Sequence, residues 1–157
     1  MKLKLASSLA CAALALPAWA TDVTYRNDIA PLIKVQCGEC HGDDSPALVD
    51  FLLDQEKFKK AKKGPRTSTY GDLIQLIGWP DSGAFMRRLD DGTNTADKKP
   101  GNMHRYVGDT EAERAANLSL IKVWLGGEGT WSLNRWEKRG DVPAVSKEQL
   151  NNLKIKY

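Results

Sequence analysis

The run Cys37-Gly38-Glu39-Cys40-His41 limits what this polypeptide can become more than any other feature of its sequence. Residues three apart on a helix share a face one turn apart, so the two thiols stand together and the imidazole follows directly. Several chemistries use closely paired cysteines, and the surroundings separate them. A thioredoxin-like redox pair asks for a preceding strand, a helix that begins at the first cysteine, and no histidine. Structural zinc asks for four ligands, whereas beyond residue 20 the sequence offers two cysteines and two distant histidines, His41 and His104. A disulfide across so short a loop would stabilise little, because the loop-closure gain grows with loop length.

The opening residues supply the context. Lys2 and Lys4 precede an apolar stretch from Leu5 to Leu16, and Ala18-Trp19-Ala20 is a small-residue cleavage pattern. The stretch is too short for a membrane span, which needs about 20 apolar residues. Residues 1–20 are therefore expected to be a signal peptide cleaved after Ala20, leaving residues 21–157 as one periplasmic domain without a membrane span. Cys11 leaves with the signal, and Ser8 three residues before it, with only a short apolar run ahead, argues against a lipoprotein. In an exported protein the pattern C-x-x-C-H attaches one covalent haem c. Each thiol adds to one vinyl group, and the adjacent imidazole reaches the iron from the same side. This reading gives Cys37 and Cys40 to the thioether bonds and His41 to the iron.

Charge narrows the partners. Cleavage removes two lysines and no acids, so 23 basic residues become 21 against 20 acidic. A nearly neutral protein lacks the long-range pull toward phosphate backbones on which nucleic-acid binding depends, and nucleic acid is set aside.

Helical patterning runs through the sequence, with no sustained period-two alternation and no internal repeat. A first helix is expected from Asp28 as cap, with Pro31 in its first turn and Ile29, Leu32, Ile33 and Cys37 on the face turned to the macrocycle. Ser45-Pro46 opens a further helical stretch, and Gly64-Pro65 breaks it after the basic run Lys57 to Lys63. Tyr70, Leu73, Ile74 and Ile77 predict a short helix that stops at Gly78-Trp79-Pro80, and another runs from a cap at Ser82 through Phe85, Met86 and Leu89. The clearest helix starts at the capping box Thr110-Glu111-Ala112-Glu113, carries Ala116, Leu120 and Trp124 at four-residue intervals, is widened by Ile121 and Leu125, and stops at Gly126-Gly127. Just before it, the turn-rich segment Asp90-Asp91-Gly92-Thr93-Asn94 leads into Lys98-Lys99-Pro100-Gly101-Asn102-Met103-His104.

An early helix ending in C-x-x-C-H, a methionine in a Pro/Gly loop, and a final helix with an aromatic residue together resemble the class I cytochromes c. The resemblance extends from the first helix to about Gly129. It implies an all-α, cytochrome c-like fold around one haem, with early and late helices crossing beside it. It also implies that His41 and Met103 are the two axial ligands of an electron carrier rather than an enzyme. Two departures stand out: the segment from Cys40 to Met103 is longer than in the smallest members, and residues 130–157, with Trp131 and Trp136, form a C-terminal extension with no assigned role.

From the residues alone, Met86, Met103 and His104 all compete for the sixth iron position. Met86 lies in a helical stripe, where a methionine is commonly core packing, while Met103 and His104 are neighbours on one loop. A filled position means electron transfer, and an open one would suit a small-ligand sensor or a peroxidase. A peroxidase also needs a distal base and an arginine, and no such constellation stands out beyond His104. For redox partners, Lys57, Lys59, Lys60, Lys62, Lys63 and Arg66 form a local basic run. The common meaning of such a run is a solvated helix face; its other meaning is a patch that steers an acidic redox protein to the haem edge. The tryptophans at 79, 124, 131 and 136 read as packing residues rather than electron relays, with Trp124 placed nearest the haem.

Overall fold

The computed structural model describes residues 22–78, 83–93, 95, 97–127 and 147–157. The expected signal peptide, Trp79, Pro80, Ser82, Asn94, Trp131 and Trp136 lie outside the described residues. Every regular element among the described residues is helical: α1 (Ala30–His41), α2 (Leu48–Leu53), α3 (Gln55–Lys60), α4 (Tyr70–Gly78), α5 (Ala84–Leu89), α6 (Glu111–Leu125) and α7 (Lys147–Asn152). A π-helical segment, Tyr25–Ile29, leads into α1, and a 3-10 turn, His104–Tyr106, precedes α6.

The helical run therefore begins before Asp28. Thr24 is its cap: the Thr24 hydroxyl accepts from Asn27 N at 3.2 Å, and the Asp28 carboxylate accepts from Thr24 N at 2.8 Å. Asp28 closes the cap from inside the turn, a reciprocal arrangement like a capping box. Pro31 sits in the first turn of α1, as expected. The stretch after Ser45-Pro46 starts later, at Leu48, because Ser45 is occupied otherwise: its hydroxyl donates to Cys40 O at 3.0 Å. Asp54 then divides the stretch into α2 and α3 by accepting from Lys57 N.

One hydrophobic cluster joins the Tyr25–Ile29 segment, α1, α4, α5 and α6. Ile29 and Ile33 meet Leu73 and Ile77 of α4, Phe85, Met86 and Leu89 of α5, and Leu118, Ile121, Trp124 and Leu125 of α6. Leu32 and Cys37 pack against its edge. The buried stripe of α6 is thus 118, 121, 125 with Trp124, while Ala116 is exposed and Leu120 only half-buried. A helix meets a curved core through i, i+3, i+7 positions as readily as through a strict four-residue ladder. The Thr110–Glu113 capping box forms with both of its bonds, and Gly126 ends α6 at φ 118°.

The end of the extension has a structural role. Residues 153–157 return across the junction of the Tyr25–Ile29 segment, α4 and α6. Lys156 O accepts from Tyr25 N at 2.7 Å and from the Trp124 indole N–H at 2.9 Å. Ile155 O accepts from the Tyr70 hydroxyl at 2.8 Å, and Ile155 N and Lys154 N donate to Trp124 O and Leu125 O. Tyr157 stacks on Tyr25, meets Tyr70 edge-on, and lies under the Arg26 guanidinium. The extension thereby covers carbonyls that the C-terminus of α6 would otherwise expose.

Candidate haem site

Cys37, Cys40 and His41 all stand in the last turn and a half of α1. Both cysteines are free thiols and half-buried. Burial first, and the neighbouring Cys40 second, push the Cys37 thiol up to about 11. Among the described residues no three His, Cys, Asp or Glu side chains converge to hold a metal ion.

The carbonyl end of α1 is received by a loop from a distant part of the sequence. Cys40 O accepts from Gly64 N at 2.8 Å, and His41 O accepts from Thr67 N at 2.9 Å. The Lys63 ammonium donates to Glu39 O at 2.9 Å and to Asp44 at 2.7 Å, a cation where the helix dipole favours one. Most important, His41 Nδ1 lies 2.7 Å from Pro65 O. A carbonyl only accepts, so Nδ1 carries the hydrogen, and in the neutral imidazole the lone pair is then on Nε2. A backbone carbonyl on the remote nitrogen is the usual support of a metal-ligating histidine, fixing tautomer and ring orientation. Gly64 is needed beside it, because a Cβ there would overlap the His41 ring. Arg66 anchors this loop to α4 through a two-pronged pair with Asp72, at 2.8 and 3.2 Å. That guanidinium holds the Asp72 carboxyl below the usual carboxylate range. Two thiols on one turn, a tethered imidazole with a free nitrogen and a glycine-lined seat fit a covalently attached haem.

Met103 lies on the other candidate surface. Its loop hangs from the C-terminal end of α5: Gly101 N donates to Asp90 O at 2.7 Å, Met103 N to Arg88 O at 2.9 Å, and His104 Nδ1 to Leu89 O at 2.9 Å. Gly101 is pressed so closely onto Arg88 O that a Cβ would overlap it. Asp90, fully buried, accepts from Gly92 N through Oδ1, while Oδ2 faces Lys122 of α6 at 3.6 Å, near enough to attract but too far for a hydrogen bond. Met103 is half-buried against the hydrophobic cluster that Cys37 also joins. Met86 is 1% exposed inside that cluster, and His104 lines a surface pocket with Pro100, Gly101, Asn102 and Arg105.

Lys57, Lys59 and Lys60 fall on α3. Lys59 pairs with Glu56 and Lys63 with Asp44, while Lys57, Lys60 and Lys62 are exposed. From the residues alone Gly64-Pro65 reads only as a helix break, and its role in seating His41 is missed. The Arg88 to Asp90 carbonyls that carry the Met103 loop are missed as well. Backbone groups leave no trace in residue identity; the Gly-Pro pair was the one available signal.

The family model described as PccH cytochrome c matches residues 24–157. Among solved structures, the monoheme cytochrome PccH from Geobacter sulfurreducens is 44% identical, and the match spans 87% of this protein and 100% of that one with a TM-score of 0.74. No curated protein matches at a significant level.

Proposed function

The chain belongs to the PccH cytochrome c family, and on that premise we propose that it is a periplasmic carrier of single electrons with His41 and Met103 as its axial ligands. Membership brings one covalent haem c per protein, which supplies an iron that takes up and gives back one electron. The observation that carries the proposal is the His41 to Pro65 hydrogen bond. It fixes the ring orientation and leaves Nε2 of the neutral imidazole as the nitrogen available to iron, so His41 needs little reorganisation between oxidation states.

Cys37 and Cys40 would hold the group to α1, and Gly64 would let the His41 ring lie flat against its loop. Met103 is the sixth-ligand candidate favoured by placement: its thioether rests half-buried on the core, Met86 is committed to the core, and His104 lines a surface pocket. A thioether opposite an imidazole raises the potential relative to two imidazoles. Export rests on residues 1–20, and no helix among the described residues is long and apolar enough to cross a membrane.

The test is the visible spectrum of the mature holoprotein, oxidised, reduced, and reduced under carbon monoxide. A low-spin c-type spectrum with the sulfur-to-iron charge-transfer band and no carbon monoxide response is expected. A low-spin spectrum without that band would replace Met103, and a high-spin haem that binds carbon monoxide rapidly would overturn the carrier reading.

Redox partners would dock at the Lys57, Lys59, Lys60, Lys62 and Lys63 surface, which an acidic protein would complement. Because Lys63 also supports α1, Lys60 and Lys62 are the cleaner probes. Reversing both charges is expected to slow electron transfer with an acidic partner several-fold at low salt and little at high salt. Equal slowing at both would remove the docking role.

A further inference from the structure

We infer that His104, the neighbour of the proposed ligand, is a positioning residue that pins the Met103 loop to α5; the inference rests on the Met103 reading. The end of any α-helix leaves carbonyls without intrahelical donors. Here three successive carbonyls, of Arg88, Leu89 and Asp90, receive Met103 N, His104 Nδ1 and Gly101 N. Two of these donors are backbone groups that any non-proline residue would supply. The middle one is the only side chain of the three; with the exposed Arg88 Nη1 to Asn102 Oδ1 bond at 3.2 Å, it is where the identity of a residue decides how firmly the loop is held, and of the two it is the one that is part-buried.

The stereochemistry suits this role. Leu89 is 5% exposed and belongs to the core, so its carbonyl starts from a fixed platform. His104 opens the 3-10 turn His104–Tyr106, and His104 N donates to Gly101 O at 3.0 Å, closing the turn that contains Met103. The ring thus ties the turn's last residue to α5 while Met103 N ties the preceding one. For Met103 to swing away from the core, the His104 bond must break together with its two backbone companions and the exposed Arg88 to Asn102 bond. Without the ring donor, Leu89 O loses its partner and the loop opens at lower free-energy cost.

The full-length holoprotein tests this with two substitutions. His104→Leu keeps bulk and removes the donor. His104→Asn keeps an N–H one bond beyond Cγ, as Nδ1 has it. Two readouts apply: the rate at which added imidazole displaces the native sixth ligand in the oxidised protein, and the temperature at which the sulfur-to-iron band disappears relative to the far-ultraviolet melt. His104→Leu is expected to speed displacement roughly three- to tenfold, the scale of one lost hydrogen bond, and to lose the band well before the helices melt. His104→Asn is expected to restore both toward the natural protein. A band that is present but unmoved in His104→Leu, or an Asn variant no better than Leu, overturns the positioning role while leaving Met103 as ligand. A natural protein with no such band that turns high-spin in His104→Leu makes His104 the ligand and overturns both.

Discussion

The two candidate ligand residues are held in opposite ways. His41 ends a twelve-residue helix and is gripped by a loop folded onto it, with Gly64, Pro65 and Thr67 each touching the motif and Arg66 fastening that loop to α4. Met103 lies on a loop that reaches for a helix instead, suspended from three carbonyls at the end of the six-residue α5. The first seat joins a helix, a loop and two cysteines for covalent attachment; the second depends on a few hydrogen bonds at one edge. Local opening follows the least-supported segment, so the Met103 side is where this protein should yield first. Cys37 and Met103 both pack against the cluster whose Tyr25 and Trp124 are bonded by the last five residues.

The largest expected effect tests that shared foundation. Removing residues 153–157 deletes the acceptor of Tyr25 N and the Trp124 indole, the partner of Tyr70, and the Tyr157 ring, and should destabilise the holoprotein by roughly 3–5 kcal/mol. The thermal melt should fall while the low-temperature visible spectrum stays unchanged. A spectrum that changes at low temperature would break the separation between foundation and seats.

Next come the two glycines pressed against the seats. Gly101→Ala drives a methyl into the Arg88 carbonyl, which is backbone, and should cost about 3 kcal/mol with early loss of the sulfur-to-iron band. Gly64→Ala meets the His41 ring, a side chain that can turn slightly, and should cost about 2 kcal/mol while disturbing the band less. Chemical denaturation followed by circular dichroism and the visible band would measure both. If Gly64→Ala released the band first, the ranking of the two seats would be reversed.

The smallest effect sharpens the His41 side alone. The Arg66 pair holds Asp72 below its ordinary pKa of about 3.9, so its stabilisation is present above that value and is lost as pH falls through the lower folded value. Asp72→Asn should cost roughly 1 kcal/mol at neutral pH and make stability less dependent on pH below about 4. Acid titrations of the two proteins, followed by circular dichroism, would show it. Parallel acid profiles would mean that the Arg66 to Asp72 pair does not support the loop.

Much of this was legible in the residues. Cys37, Cys40 and His41 stand in the order and spacing that covalent haem attachment uses, consistent with the haem c of the family. Thr110, Glu113 and Gly126 mark α6 because capping is local. Helix starts differ from the expected ones where a side chain serves another partner: Thr24 rather than Asp28 begins the first helical run, and Ser45 turns back to Cys40 instead of opening α2.

By itself, then, the sequence determined the helical class and the C-x-x-C-H motif of a haem c protein, and it marked the loop proposed here to offer a second ligand, all features written in side chains within a few residues of one another. Only the tertiary structure decided which carbonyl steadies His41, what suspends Met103 and His104, and where the C-terminal residues return. Those choices turn on backbone groups 15 or more residues away from the amides and side chains that meet them. Every residue but proline carries the same N–H and every residue the same C=O, so nothing in their identity foretells which of them will meet.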